Sequence, residues 1–86
     1  MTQIFFAENI KYIRTCLQET QDQMGKRLGT SLKRYQSYEK DNVEPTYKNL
    51  LDFSDKIGVN IDRLLRENLR ETCTELDILR LASKSK

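Results

Sequence analysis

Between Ser31 and Lys40 the chain reads SLKRYQSYEK, a run of side chains able to meet another molecule through hydrogen bonds and charge. Lys33 can donate to the O6 and N7 acceptors of guanine, and Gln36 can pair with adenine if its side chain faces a groove. Leu32 has no polar group, so it either meets thymine methyls or packs on a neighbouring helix. Ser31 and Ser37 offer short polar contacts, and Ser31 can also cap a helix. Arg34, with Lys26 and Arg27 upstream, suits phosphate oxygens, and Lys40 adds a cation at the far end. Gln21 opens a preceding helix whose N-terminal partial charge favours the same anions. The chemistry these residues share is recognition of a duplex, with no bond made or broken.

Catalytic arrangements are poorly served. The chain has no His and no Gly-rich phosphate loop, and its carboxylates are scattered. Cys16 therefore lacks an activating base. The two cysteines stand 57 residues apart with no His to complete a zinc set, so no metal or cofactor is expected. No apolar run reaches the ~20 residues of a membrane span. Ile4-Phe5-Phe6-Ala7 is too short for the apolar part of a signal peptide and has no basic segment before it. A cytoplasmic, non-enzymatic protein with reduced thiols is the expectation.

The net charge of +2 hides a local excess. Residues 26–40 hold five cations, Lys26, Arg27, Lys33, Arg34 and Lys40, against Glu39 alone. The segments on either side are each slightly acidic. Positive charge is thus concentrated on the stretch that carries the recognition chemistry.

The elements that must position this stretch are legible around it. Thr20 followed by Gln23 is a capping box, so a helix starts at Gln21 and runs to Leu28. Gly29 supplies the left-handed stop, and a second helix covers Leu32 to Lys40. Met24, Leu28, Tyr35 and Tyr38 recur at helical spacing and can face one core. A two-helix unit of this form, polar and cationic on its second helix, is that of a helix-turn-helix. Upstream, Phe6, Ile10, Ile13 and Leu17 mark an amphipathic first helix. Residues 1–4 form a loose start. Asp41-Asn42 begins a turn, and Pro45 keeps Glu44 out of helix. Thr46 caps a fourth helix that buries Leu50, Leu51, Phe53, Ser54 and Ile57, with Gly58 as its stop. Asn60 caps a fifth. Beyond it Leu65, Leu69, Leu76 and Leu79 form a roughly heptad-like seam on a sixth helix, or on an extension of the fifth, before a frayed tail.

From Asn9 to Leu65 the sequence resembles the Cro/phage-repressor (XRE) helix-turn-helix family. The matching segments include Ile10-Lys-Tyr-Ile-Arg14, Thr20-Gln21, Leu28-Gly29-Thr-Ser31, Tyr38-Glu39, Glu44-Pro45-Thr46 and Ile57-Gly-Val-Asn-Ile-Asp-Arg-Leu-Leu65. The resemblance implies an all-α, five-helix, lambda-repressor-like DNA-binding domain, usually working as a dimer on a two-fold symmetric site. It implies a phosphate contact at Gln21, base contacts at Ser31, Leu32, Lys33 and Ser37, and an internal ion pair between Arg14 and Glu39. In place of the family's usual Gly-hydrophobic pair before Thr20, this chain has Gln18-Glu19.

The expectation is a DNA-binding domain over residues 1–65 with a C-terminal helical extension over 66–86. Its function is sequence-specific transcription regulation, repression included, on double-stranded DNA. Its DNA-binding set is Gln21, Lys26, Ser31, Leu32, Lys33, Arg34, Gln36, Ser37 and Lys40. Leu65, Leu69, Leu76 and Leu79 are expected to form the homodimer contact. The alternative is a protein-binding module on the same fold, such as an antitoxin or adaptor, engaging its partner through residues 66–86.

Overall fold

Side-chain caps cut the chain into short helices, and a computed structural model describes them for residues 5–40 and 45–84. The expected loose start at residues 1–4, the turn at residues 41–44 and the last two residues lie outside the described residues. Among the described residues there are seven helices and no strand. They are α1 (Phe6–Cys16), α2 (Gln21–Leu28), α3 (Leu32–Lys40), α4 (Tyr47–Ile57), α5 (Ile61–Arg66), α6 (Leu69–Thr72) and α7 (Glu75–Lys84). The architecture is all-α.

The capping box at the head of α2 is complete. The Gln23 amide donates to the Thr20 hydroxyl at 3.1 Å, and the Thr20 amide donates to Gln23 Oε1 at 2.8 Å. Gly29 closes α2 with φ +75°, a conformation that costs glycine nothing. Thr46 and Asn60 cap α4 and α5 through the amides of Asn49 and Arg63. The turn ahead of Thr20 also needs a left-handed residue, and there it is Gln18 at φ +57°.

The apolar stripe of α1 (Phe6, Ile10 and Ile13) lies at the centre of a single core with Met24, Leu28, Tyr35, Tyr38, Leu50, Phe53, Ile57 and Leu64. Leu17 packs only partly against it, and Leu51, expected on the buried face of α4, is exposed on its outer side. Phe6, Tyr38 and Phe53 form an aromatic knot, two of its three ring pairs meeting edge to face at 5.9 and 5.7 Å. That knot ties α1, α3 and α4 together, which is how α3 acquires a fixed base.

Downstream of α5 the chain departs from one continuous helix. Asn9 of α1 is the cause. Its side chain is buried, donates to the carbonyls of Leu64 and Glu67 at 2.7 and 2.8 Å, and accepts from the Leu69 amide at 3.1 Å. It satisfies the orphan carbonyls at the end of α5 and the first amide of α6, so the chain breaks at Glu67-Asn68. A second capping box, between Thr74 and Asp77, starts α7 after the extended residue Cys73.

The four leucines expected to line one seam are therefore divided. Leu69 is 0% exposed and belongs to the core, and Leu65 packs partly against it. Leu76 and Leu79 stay outside, at 55% and 40% exposed. The break before α6 rotates Leu69 inward, so the heptad-like spacing does not describe one face. Leu69, Cys73 and Ile78 share the core of α1–α5, and α6 and α7 both rest on α1. Cys16 and Cys73 are free, buried thiols.

Candidate nucleic-acid interface

α2 and α3 approach each other closely at Gly25. Gly25 is buried where α2 passes under the following turn, and a Cβ there would lie 3.3 Å from the Thr30 carbonyl oxygen and 3.5 Å from Tyr35 Cβ. The absence of that carbon lets α3 settle close across α2. Tyr35 and Tyr38 then point down into the core. What α3 turns outward is Leu32, Lys33, Arg34, Gln36 and Lys40, with Ser31 exposed at its head and Ser37 half-buried.

Each outward residue has a defined state. The Ser31 hydroxyl accepts from the Arg34 amide at 3.2 Å, so it caps α3 and keeps its own proton to donate. The Ser37 hydroxyl donates back to the Lys33 carbonyl at 3.2 Å, which leaves its lone pairs for an incoming donor. Leu32 is 41% exposed. Lys33, Arg34 and Lys40 form no ion pair with any carboxylate among the described residues. Lys26 makes a loose, exposed pair with Asp22 at 3.4 Å, the kind that is readily exchanged for another anion. Arg27 differs. Its guanidinium grips Glu19 through both oxygens, at 2.6 Å for the closest contact, so it braces α2 on the preceding turn.

Behind this surface lies a polar chain with a charge at its root. The Glu39 side chain is only 5% exposed. It accepts from Arg14 Nε at 2.7 Å, from Arg14 Nη2 at 3.3 Å, from the Tyr35 hydroxyl and from Gln21 Nε2 at 3.1 Å. Burial by itself pushes the Glu39 carboxyl up, but the Arg14, Tyr35 and Gln21 donors together hold it below its ordinary value. The Tyr35 hydroxyl is driven the other way, first by burial and then by the bond to Glu39. Arg14 also donates to the Glu19 carbonyl at 3.2 Å, so one guanidinium joins α1, the turn before α2, and α3. Gln21 in turn accepts from Gln36 Nε2 at 3.1 Å. The structure thus brings Arg14, Glu39, Gln21 and Gln36 into one connected line from core to surface.

The far wall of this surface is built by the start of α4. Pro45, Thr46 and Asn49 at the entrance to α4 line an open groove together with Ser31, Lys33, Arg34, Ser37 and Tyr38 of the α3 region. The cap at Thr46 is the signal that could have pointed there, since a helix N-terminus offers amides to an anion. Among the described residues no cluster of His, Cys, Asp and Glu is placed to hold a metal ion, and no helix is long and apolar enough to cross a membrane.

A capped helix, a glycine turn and a second helix presenting cations and amides on a fixed aromatic base define a helix-turn-helix unit within an all-α bundle. A helix-turn-helix family model, HTH_3, matches residues 10–64. The chain belongs to that family, in its Cro/phage-repressor (XRE) form. It is 36% identical over 66 residues to an uncharacterized HTH-type transcriptional regulator, YqaE, of Bacillus subtilis, covering 77% of this chain and 57% of that protein. It is 35% identical over 57 residues to the cryptic phage CTXphi transcriptional repressor RstR of Vibrio cholerae, covering 66% of this chain and 51% of that one. The chain therefore spans about half the length of the curated relatives it matches. No solved structure matches it.

Proposed function

We propose that the chain is a sequence-specific, DNA-binding transcriptional regulator that lays α3 in the major groove. The observation that carries this reading is the outer face of α3. Lys33, Arg34, Gln36 and Lys40 stand exposed there, while Tyr35 and Tyr38 anchor the opposite face. A helix with a cationic, amide-bearing face fits the major groove, where each base pair offers a distinct set of donors, acceptors and methyls. The family and the names of both relatives point the same way.

In this reading Lys33 donates to guanine, Gln36 pairs with adenine and Leu32 meets a thymine methyl. Ser31 and Ser37 add short polar contacts to the bases. Gln21, Lys26, Arg34 and Lys40 hold the phosphates and set register without reading sequence. Two copies place their α3 helices ~34 Å apart, one turn of duplex. Leu76 and Leu79 of α7, with the edge of Leu65, supply the contact between copies. The same two exposed leucines favour a second reading, in which α7 engages a different protein as an adaptor or antitoxin would.

Binding to a mixed-sequence duplex across a salt series tests the proposal. A dimer that neutralises roughly six to eight phosphates loses affinity with a log–log slope near −0.9 per contact. Duplex binding that is absent, or indifferent to salt, sinks it and leaves the protein-binding reading.

A further inference from the structure

We infer that Gln21 is a positioning residue that fixes the polarity of the Gln36 amide, so that Gln36 accepts adenine and rejects guanine. This rests on the DNA-reading function proposed above.

The argument starts at Glu39. A buried, ionised carboxylate has only acceptors to offer. The group facing it must therefore be a donor, and Gln21 meets Glu39 Oε1 with Nε2 at 3.1 Å. The opposite amide orientation would set a carbonyl oxygen against a carboxylate oxygen with no proton between them. Gln21 Oε1 is thereby directed away from Glu39, and there it accepts from Gln36 Nε2 at 3.1 Å. Gln36 must in turn face Gln21 with its NH2 group.

One N–H of Gln36 is used in this way, and its second N–H and its Oε1 remain for a partner. That donor and acceptor match the N7 acceptor and N6 donor of adenine in the major groove. Guanine presents acceptors at both N7 and O6, so the held Oε1 of Gln36 would face O6 with lone pairs on both sides. An unrestrained glutamine escapes by turning its amide half-way round and bridging both acceptors with its NH2 group. Here that turn sets Gln36 Oε1 against Gln21 Oε1, and Gln21 cannot follow because Glu39 holds it. The sign of one buried charge is carried through two amides to the reading surface.

Duplexes selected from a random pool by the wild-type protein define its preferred site, and competition with single base-pair changes then gives the preference at each position. Gln36→Ala is expected to lose an adenine-over-guanine preference at one position per half-site. Gln21→Ala lowers that same ratio about five- to tenfold and leaves the ratios at other positions in place. Gln21→Met, which keeps the stem without the amide, behaves like Gln21→Ala. The double variant Gln21→Ala/Gln36→Ala is no worse at that position than Gln36→Ala alone, because the two act as one unit. A Gln21→Ala protein that binds every sequence more weakly by the same factor overturns the inference, since a phosphate contact alone would do that. A Gln36→Ala protein that keeps every preference overturns it as well. A wild-type protein that selects no sequence from the pool removes the DNA-reading function, and the inference falls with it.

Discussion

Arg14 and Glu39 lie 25 residues apart and meet at 2.7 Å, with the carboxylate almost fully enclosed. Through this contact α1 fixes the height of α3, because the same carboxylate also takes the Tyr35 hydroxyl from within α3. Removing one partner leaves the other charged and shut away from water. Arg14→Ala or Glu39→Ala is therefore expected to cost about 3 kcal/mol or more in denaturant unfolding. The pH dependence follows from the direction of the shift. The fold holds the Glu39 carboxyl below its ordinary value, so its contribution is present above about pH 4.3 and fades as pH falls through the depressed value. Thermal melts of wild type and Glu39→Gln should differ most near neutrality and converge on acidification. A gap that widens in acid would contradict the assignment.

Asn9 should prove as costly to change as any apolar core residue. Asn9→Leu is similar in size but strands the carbonyls of Leu64 and Glu67 and the amide of Leu69. At roughly 1–3 kcal/mol for each buried group left unpaired, the loss is expected to exceed 3 kcal/mol. Amide exchange across α5 and α6 reads the same event locally: protection of Leu69 should fall before that of α2.

Gln18 holds a left-handed backbone where glycine would sit without strain. Gln18→Gly should raise stability by up to about 1 kcal/mol, against the usual trend for glycine substitutions. A lower melting temperature for this variant would show that the Gln18 side chain contributes more than its backbone costs.

The cations near α3 should separate by role. Lys33→Ala is expected to relax preference by about 1–3 kcal/mol at one base pair per half-site. Arg34→Ala should weaken all sequences alike and reduce the salt slope by about 1. Arg27→Ala should leave duplex affinity near wild type, because its guanidinium is committed to Glu19. Competition titrations against matched and mismatched duplexes distinguish the three.

Association of two copies can be tested on α7 without disturbing the core. Leu76→Lys/Leu79→Lys should sediment as a monomer and keep wild-type helicity, since both side chains are already exposed. Leu69→Lys, by contrast, should unfold the protein, because it places a charge in the core. A double variant that still sediments as a dimer rules out this face.

Local chemistry was enough to place α2, α3 and the start of α4. Thr20, Gly29, Thr46, Gly58 and Asn60 act within three or four residues of themselves, so their spacing in the chain is their spacing in space. The same holds for the inward Tyr35 and Tyr38 and the outward cations of α3, which follow from helical period alone. Three features needed the folded chain. Asn9 ends α5 from 55 residues away, Glu19 engages the Arg27 guanidinium, and Glu39 orders the amides of Gln21 and Gln36. Each is a polar contact between segments brought together by the packed chain, and no periodicity in the letters encodes where two such segments meet.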